Sequence, residues 1–269
     1  MINLQNRKRL KKDTSNKKYF MEFFGVLALT YVGCWTCIFM DIKSITRNGY
    51  AICQAFLLTI LIWLGSDISG AYYNPAITLA LVVVKRINWT TALFYLIAQF
   101  AGAVVGAFFV QIQLNSEIAE IIKDKSKLGL AKPMNNIYEV SGVWGELIGT
   151  YLMSFVFIAL CLDNNRPKKV AIGAPAVGFI VYCMIMTIGE VSGGVFNPAR
   201  AIGPALILGT IEKDQFMQFF SPIFGAICGI LVYTFLFIED EEDIKEEEEE
   251  RKLRNEAEDE LKDEQDVYG

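Results

Sequence analysis

The chain contains no histidine among its 269 residues. It therefore has no imidazole to serve as a general base, as a metal ligand or as a titrating switch near neutral pH. The six cysteines include the spacing Cys34-x-x-Cys37, which is typical of redox and metal sites. Because that pair lies in a hydrophobic run with no histidine to complete a site, we interpret the cysteines as buried thiols that pack as small hydrophobes.

Patterns that would indicate enzymatic chemistry are also missing. The sequence shows no nucleophile paired with a base, no cluster of metal ligands and no glycine-rich phosphate loop. We therefore expect no enzyme, no cofactor, no metal site and no nucleic-acid partner.

Charge is scarce over most of the chain and concentrated at its ends. Residues 239–269 hold 17 acidic and 5 basic side chains, a net charge of −12. The first 18 residues are basic and polar, and the chain as a whole is 53% hydrophobic, which is apolar for a soluble protein. The pattern predicts a basic N-terminal arm at 1–18, a hydrophobic body at 19–238 and a solvated acidic tail at 239–269.

Six apolar stretches are long enough to cross a bilayer, which takes about 20 residues of helix. They lie at 19–40, 50–66, 90–112, 141–162, 170–188 and 216–238. Two more apolar pieces, 75–84 and 198–208, are too short to cross and are typical of re-entrant half-helices. The expected fold class is an all-α membrane protein with six transmembrane helices and two half-helices.

A repeat divides this hydrophobic body into two halves. The tripeptide Asn74-Pro75-Ala76 recurs 123 residues later as Asn197-Pro198-Ala199. Two related halves in a hydrophobic chain are typical of transporters and channels, and an odd number of spans per half inverts the second half relative to the first. The repeats are expected at about 19–112 and 141–238, with a connecting loop at 113–140.

The distribution of lysine and arginine predicts the orientation in the membrane. The N-terminal arm is basic, the segment after the first half-helix carries Lys85 and Arg86, and the loop after the fourth span carries Arg166. With six spans these segments share one side, which the positive-inside rule makes cytoplasmic. Both termini are then predicted in the cytoplasm. The plasma membrane and an intracellular vesicle or vacuole membrane both fit.

Each Asn-Pro-Ala copy has the composition of a helix start. Asparagine is a preferred N-cap, and proline is favoured at the first helical position. When the side-chain oxygen of Asn74 or Asn197 accepts from the first turn, its NH2 group is left free to donate outward. In inverted halves, two such donors and two positive helix ends meet near the bilayer midplane, where they bind a water oxygen and repel cations.

Two segments resemble the signature loops of the aquaporin, or major intrinsic protein, family: SGAYYNPA at 69–76 and SGGVFNPAR at 192–200. The resemblance extends over residues 19–238. It implies a homotetramer in membrane lipid, in which each subunit has six tilted helices, two half-helices and its own pore for passive water transport. It also implies exclusion of protons and ions by pore diameter, lining donors and electrostatic barriers.

The resemblance further implies which side chains form a selectivity filter. Arg200 directly follows the second motif, in the place of the arginine that lines the family's outer constriction. Counting along the chain as in the family puts Gly194, Ile185 and Gln54 at the other filter positions. Phe56 is the alternative to Gln54.

Four other residues correspond to supporting or narrowing positions. Glu22 and Glu146 match the family's glutamates, which accept hydrogen bonds from the backbone of the re-entrant loops. Tyr72 and Tyr73 precede the first motif on the cytoplasmic side. Two interpretations stay open for these tyrosines: they narrow the inner vestibule, or they pack against the half-helix.

This filter departs from that of the family's strict water channels, which pair the arginine with a histidine and an aromatic ring. This chain has no histidine, Ile185 cannot donate a hydrogen bond to water, and Gly194 has no side chain. We therefore expect a constriction that is wider or less polar on one wall and passes ammonia or urea beside water. Ala201 and Ala205 stand where glycerol conductors carry an aspartate and a basic residue. A glycerol-permeable channel and a poorly conducting structural or adhesive member of the fold are the alternatives.

Overall fold

The structure is a computed structural model that describes residues 14–114, 128–131, 139–163 and 169–238. The predicted basic arm before Thr14, most of the connecting loop and the acidic tail from 239 lie outside the described residues. By their internal contacts, residues 1–233 and 234–269 form two separate units, and the candidate site lies within the first.

Helices account for nearly all of the described residues. They are α1 (Thr14–Asp41), α2 (Arg47–Gly65), α3 (Pro75–Val83), α4 (Trp89–Gln113), α5 (Glu139–Phe157) with a following π-helical turn (Ile158–Leu162), α6 (Lys169–Ser192), α7 (Pro198–Leu208) and α8 (Lys213–Phe237). Six of them are long and apolar enough to cross a membrane, which confirms the predicted number of spans. The two short helices, α3 and α7, are the predicted half-helices.

Several helices run beyond the apolar stretches that predicted them. α1 begins at Thr14 rather than at 19, α6 continues to Ser192 rather than 188, and α8 begins at Lys213 rather than 216. Hydropathy marks only the apolar part of a helix, whereas backbone hydrogen bonding continues into its polar ends. The π-helical turn after α5 had no counterpart in the sequence prediction.

Glycines let the first and third long helices of each half approach closely. A β-carbon would overlap a backbone carbonyl of the facing helix at Gly102 and Gly106 on α4, and at Gly225 and Gly229 on α8. Gly102 lies against the carbonyl of Phe23 on α1, while Gly225 lies against that of Leu147 on α5. The same close crossing, formed by small residues, therefore occurs in both halves.

The half-helices are enclosed by the long helices. α3 packs against α4, α7 packs against α4 and α1, and α3 and α7 contact each other. α2 packs against α6, which also packs against α5. This arrangement places the starts of both half-helices inside the bundle.

The six cysteines divide into three groups. Cys34 and Cys37 are buried, as interpreted from the sequence, Cys161 is half-buried, and Cys53, Cys183 and Cys228 are exposed. The interpretation of all six as buried thiols is therefore wrong for these three. An apolar run in a membrane helix has an outward face as well as an inward one, and hydropathy does not separate the two.

Candidate functional site: the pore beside the two half-helix starts

Each half-helix begins with an asparagine cap. The side-chain oxygen of Asn74 accepts from the Ala76 N–H at 2.9 Å, and that of Asn197 accepts from the Ala199 N–H at 3.1 Å. The prolines that follow occupy the first helical position, where an absent N–H leaves no hydrogen bond unmade. Both motifs therefore act locally as the composition predicts.

The two caps are also joined to each other's loop. Nδ2 of Asn74 donates to the Phe196 carbonyl at 2.7 Å, and Nδ2 of Asn197 donates to the Tyr73 carbonyl at 2.8 Å. The sequence predicts that each amide NH2 group is free to donate outward. One hydrogen is instead used between the halves, and the second has no acceptor among the described residues.

The residue before each asparagine has an uncommon backbone conformation. Tyr73 has φ 48° and Phe196 has φ 52°, both in the left-handed region that side chains with a β-carbon seldom adopt. A residue held there costs about 1–3 kcal/mol, and the conformation persists only where the surrounding structure enforces it. In both loops this turn accompanies a carbonyl that accepts from the opposite asparagine.

A buried carboxylate holds the first of these loops. Glu22 on α1 is 0% exposed and accepts from the backbone N–H groups of Tyr72 (3.0 Å) and Tyr73 (2.7 Å). It also accepts from Ser69 Oγ at 2.6 Å and Gln99 Nε2 at 2.8 Å. Four donors on one carboxylate tie the loop to α1 and α4 through charge-assisted hydrogen bonds.

The equivalent carboxylate in the second half is Glu146 on α5. It is also 0% exposed and accepts from the backbone N–H groups of Val195 at 2.9 Å and Phe196 at 2.7 Å. The two loops are thus supported in the same way, although Glu146 lacks a counterpart to the Gln99 contact among the described residues.

A single cavity runs beside both asparagines. It is bordered by Asn74 and Asn197, and also by Arg200 and Tyr72. Arg200 lies against Gly33 on α1, whereas the ring of Tyr72 lies 5.6 Å from that of Tyr95, which in turn contacts Tyr19 near the start of α1. At a helical rise of about 1.5 Å per residue, these two contacts lie roughly 20 Å apart along α1.

The four residues named for the filter border this cavity together. Arg200 is 3% exposed, Gln54 is 8% and Ile185 is 1%, and Gly194 is buried beside them. Phe56 is 60% exposed and does not border the cavity, so it is wrong as the alternative filter residue. Two residues apart on a helix, Gln54 and Phe56 necessarily point in different directions.

Other cavity residues were missed from the sequence. Tyr50 precedes Gln54 by one helical turn on α2 and is 2% exposed, while Val181 precedes Ile185 by one turn on α6. Both could have been predicted by taking the position four residues before each filter residue, because residues i and i+4 lie on the same face of a helix. Met153 and Phe157 of α5 add further apolar wall.

The guanidinium of Arg200 is held on one side only. Its Nη2 donates to the Gly129 carbonyl at 2.9 Å and to Cys37 Sγ at 3.6 Å. Its Nε and Nη1 have no acceptor among the described residues, and neither does Nε2 of Gln54. Buried donors of this kind are normally paired, so a donor set left open beside a cavity is suited to a passing molecule.

The two tyrosines before the first motif both border the cavity but differ in how deeply their rings are buried. The ring of Tyr73 is 0% exposed, lies where a β-carbon on Gly25 or Gly65 would overlap it, and donates from its hydroxyl to the Leu61 carbonyl at 3.0 Å. This ring packs between helices. Tyr72 is half-buried and borders the cavity beside Phe157, with 6.2 Å between ring centroids.

Known proteins are similar to this sequence over most of its length. The family described as Major intrinsic protein matches residues 9–233. Aquaporin NIP2-1 of Oryza sativa subsp. japonica is 30% identical over 226 residues, which cover 83% of this chain and 72% of that relative. Probable aquaporin TIP2-2 of the same subspecies is 32% identical over 234 residues, which cover 83% of this chain and 88% of that relative.

One solved structure with a similar fold is the X-ray structure of the aquaglyceroporin from Plasmodium falciparum. The TM-score is 0.71 at 21% identity, over 82% of this chain and 96% of that chain. This likeness concerns the fold, an all-helical bundle with six membrane-spanning helices and two half-helices. The chain therefore belongs to the major intrinsic protein family, a family of channel proteins rather than enzymes, and it is an integral, multi-pass membrane protein.

Proposed function

We propose that the protein is a channel for the passive transport of water that also admits small neutral solutes such as ammonia or urea. The observation that carries this proposal is the set of open donors beside one cavity. The cavity is bordered by both cap asparagines, by Arg200 and by Gln54. Among the described residues, Nε and Nη1 of Arg200 and Nε2 of Gln54 have no acceptor, and each asparagine amide uses only one of its two hydrogens, in the bond to the other repeat. Water, ammonia and urea each offer an atom that accepts such a hydrogen bond.

The charge around the cavity favours neutral molecules over cations and protons. Among the described residues that border it, Arg200 is the one with a charged side chain. The starts of α3 and α7 add about half a positive charge each. A cation that enters would lose water and gain no carboxylate, so its transfer is strongly disfavoured.

The composition of the filter favours a wider range of solutes than water alone. Ile185 offers no hydrogen bond, and Gly194 has no side chain to fill the space beside Arg200. Gln54 supplies a neutral donor where strict water channels of the family place a ring. A dedicated glycerol channel is disfavoured by Ala201 and Ala205, which are both buried and carry no polar group.

A poorly conducting member of the same fold is the second candidate. The edge-to-face pair of Tyr72 and Phe157 favours it, because both rings border the cavity away from Arg200. The proposal also includes cytoplasmic termini that flank a channel domain at 19–238, and a homotetramer in the membrane.

Stopped-flow light scattering on proteoliposomes tests the proposal. Vesicles with the protein are expected to shrink in a sucrose gradient faster than empty vesicles, and to admit urea faster than empty vesicles. Ile185→His, which narrows the filter and adds a donor, is expected to reduce urea entry and keep water flux. Ile172→His on the exposed face of the same helix is the matched control and should change neither flux.

Two outcomes would contradict parts of the proposal. Water flux equal to that of empty vesicles would favour the poorly conducting alternative. Water flux above it, with urea and methylamine entry equal to that of empty vesicles, would reject the widened filter. Arg200→Val serves as a third comparison, because removal of the guanidinium should increase solute entry.

A further inference from the structure

The side chain of Arg200 rests directly on the first helix. A β-carbon on Gly33 would overlap Nε of Arg200 and would lie 3.0 Å from both its Cζ and its Nη2. Gly33 is buried, and its missing side chain is the space that the guanidinium occupies. Any other residue at this position would push the guanidinium away from α1.

Cys37 lies one helical turn after Gly33, on the same face of α1. It is 1% exposed, and its Sγ accepts from Nη2 of Arg200 at 3.6 Å. Cys37 does not border the cavity. Any effect of its thiol on a passing solute must therefore act through Arg200.

Together these contacts fix one edge of the guanidinium. Nη2 has two acceptors, Cys37 Sγ and the Gly129 carbonyl, while Nε and Nη1 have none among the described residues. A long side chain with four rotatable bonds needs such anchors to keep a single position. The surface of α1 thereby determines which part of Arg200 faces the cavity.

We propose that Gly33 and Cys37 are positioning residues for Arg200 that set the largest solute the channel admits. This inference rests on the proposed function, because it requires Arg200 to form the constriction. α1 contributes none of the four filter residues, yet its Gly33–Cys37 face decides how far the guanidinium extends toward them. Residue choice at these two positions then adds to the specificity of the filter.

Two substitutions probe the two contacts. Gly33→Ala is expected to displace the guanidinium toward the cavity and to lower water permeability. Cys37→Ala removes one acceptor and is expected to raise the ratio of urea to water permeability about two- to tenfold, the range for loss of an ordinary hydrogen bond. Cys37→Ser keeps an acceptor of similar size and should restore the wild-type ratio.

Cys34→Ala is the matched control for loss of a buried thiol. Cys34 is 0% exposed on the same helix and packs with Ile38, Ala107 and Val110, without a hydrogen bond to Arg200. Its removal should lower the melting temperature in detergent and leave the urea-to-water ratio unchanged. A similar change of ratio in both alanine variants would overturn the assignment to Cys37.

The decisive comparison repeats both α1 substitutions in the Arg200→Val background. A residue that acts through Arg200 loses its effect when the guanidinium is gone, on water permeability for Gly33→Ala and on the urea-to-water ratio for Cys37→Ala, whereas a merely structural effect persists. Persistence would overturn the proposal, as would wild-type water flux and ratio in both single variants. Failure of the proposed function looks different, since the wild-type protein would then conduct no water or Arg200→Val would leave the ratio unchanged.

Discussion

Asn74 on the first half-helix donates its side-chain amide to the backbone carbonyl of Phe196, 2.7 Å away in the other repeat. Phe196 directly precedes Asn197, which returns the same contact to the carbonyl of Tyr73. One side chain thus caps its own helix and secures the opposite loop. The same two asparagines border the pore and form the hydrogen bonds between the repeats.

Substitution of Asn197 by alanine should lower stability through both contacts. The change removes a helix cap worth about 0.5–2 kcal/mol, and it leaves the buried Tyr73 carbonyl without its donor, at a cost of about 1–3 kcal/mol. Thermal unfolding in detergent measures the sum. Water permeability per reconstituted protein should fall as well, because the start of α7 is no longer held beside the cavity.

Asn88→Ala is the control for the cap alone. Asn88 caps α4 by accepting from the Thr91 N–H at 2.8 Å, and it is exposed. Its loss should cost about 1 kcal/mol with no change of permeability. Equal destabilisation in the two variants would show that the contact between the repeats contributes nothing measurable.

Substitution of Glu22 by glutamine should destabilise the first loop. Glutamine offers one acceptor oxygen where Glu22 offers two, so Tyr73 N–H and Gln99 Nε2, or Ser69 Oγ and Tyr72 N–H, lose their acceptor. Each orphaned buried donor costs about 1–3 kcal/mol. Unfolding measurements should therefore show a large loss of stability, and Glu146→Gln should destabilise the second loop for the same reason.

Glu190→Gln is the control for loss of a carboxylate at the surface, against which the destabilisation by Glu22→Gln is compared. Glu190 pairs with Arg47 at 2.6 Å, but its side chain is 48% exposed. An exposed pair of this kind contributes about 0–1 kcal/mol. If Glu22→Gln proves no more damaging than Glu190→Gln, the buried carboxylate does not hold the loop.

Substitution by alanine should change permeability at Tyr72 and stability at Tyr73. Tyr72→Ala removes a ring that borders the cavity, so water permeability should rise while the unfolding temperature changes little. Tyr73→Ala empties a fully buried site, and the loss of a buried aromatic ring costs about 3–5 kcal/mol. Tyr72→Phe is the control that keeps the ring; unchanged flux in Tyr72→Ala would place any inner constriction elsewhere.

Gly102→Ala should weaken the crossing of α1 and α4. Its β-carbon would overlap the carbonyl of Phe23, which is backbone and cannot rotate away. Overpacking of this kind costs about 1–3 kcal/mol. Gly49→Ala is the comparison, because its β-carbon would meet only the side chain of Ile45, at 3.2 Å. Equal melting temperatures for the two variants would contradict the close crossing.

The sequence predicted what depends on local composition and on the repeat. Six apolar runs became six long helices, and the two half-helices begin at the predicted caps because Asn and Pro act within their own first turn. Contacts between distant segments were not readable in this way. The acceptors of the asparagine amides, Phe196 and Tyr73, are backbone carbonyls whose position depends on the folding of both loops.

The filter shows where sequence reasoning stops. Spacing alone could not choose between Gln54 and Phe56, because it predicts a position along α2 only to within a residue or two. Which side chain of α2 faces the cavity depends on how α2 packs against α6. Gly33 and Cys37 carry no local signal either, since small residues are common in membrane helices. Their role follows only from the position of Arg200, 163 residues from Cys37 in sequence.

The reciprocal bonding of the two asparagines has a consequence for biogenesis. The acceptor of the Asn74 amide and the donor to the Tyr73 carbonyl both lie in the second repeat, at Phe196 and Asn197. Neither bond can form before the start of α7 has been translated, and an unmet backbone group in hydrocarbon is costly. Insertion of the first three spans therefore cannot finish the channel, and the two loops can close on each other only once the second repeat is present.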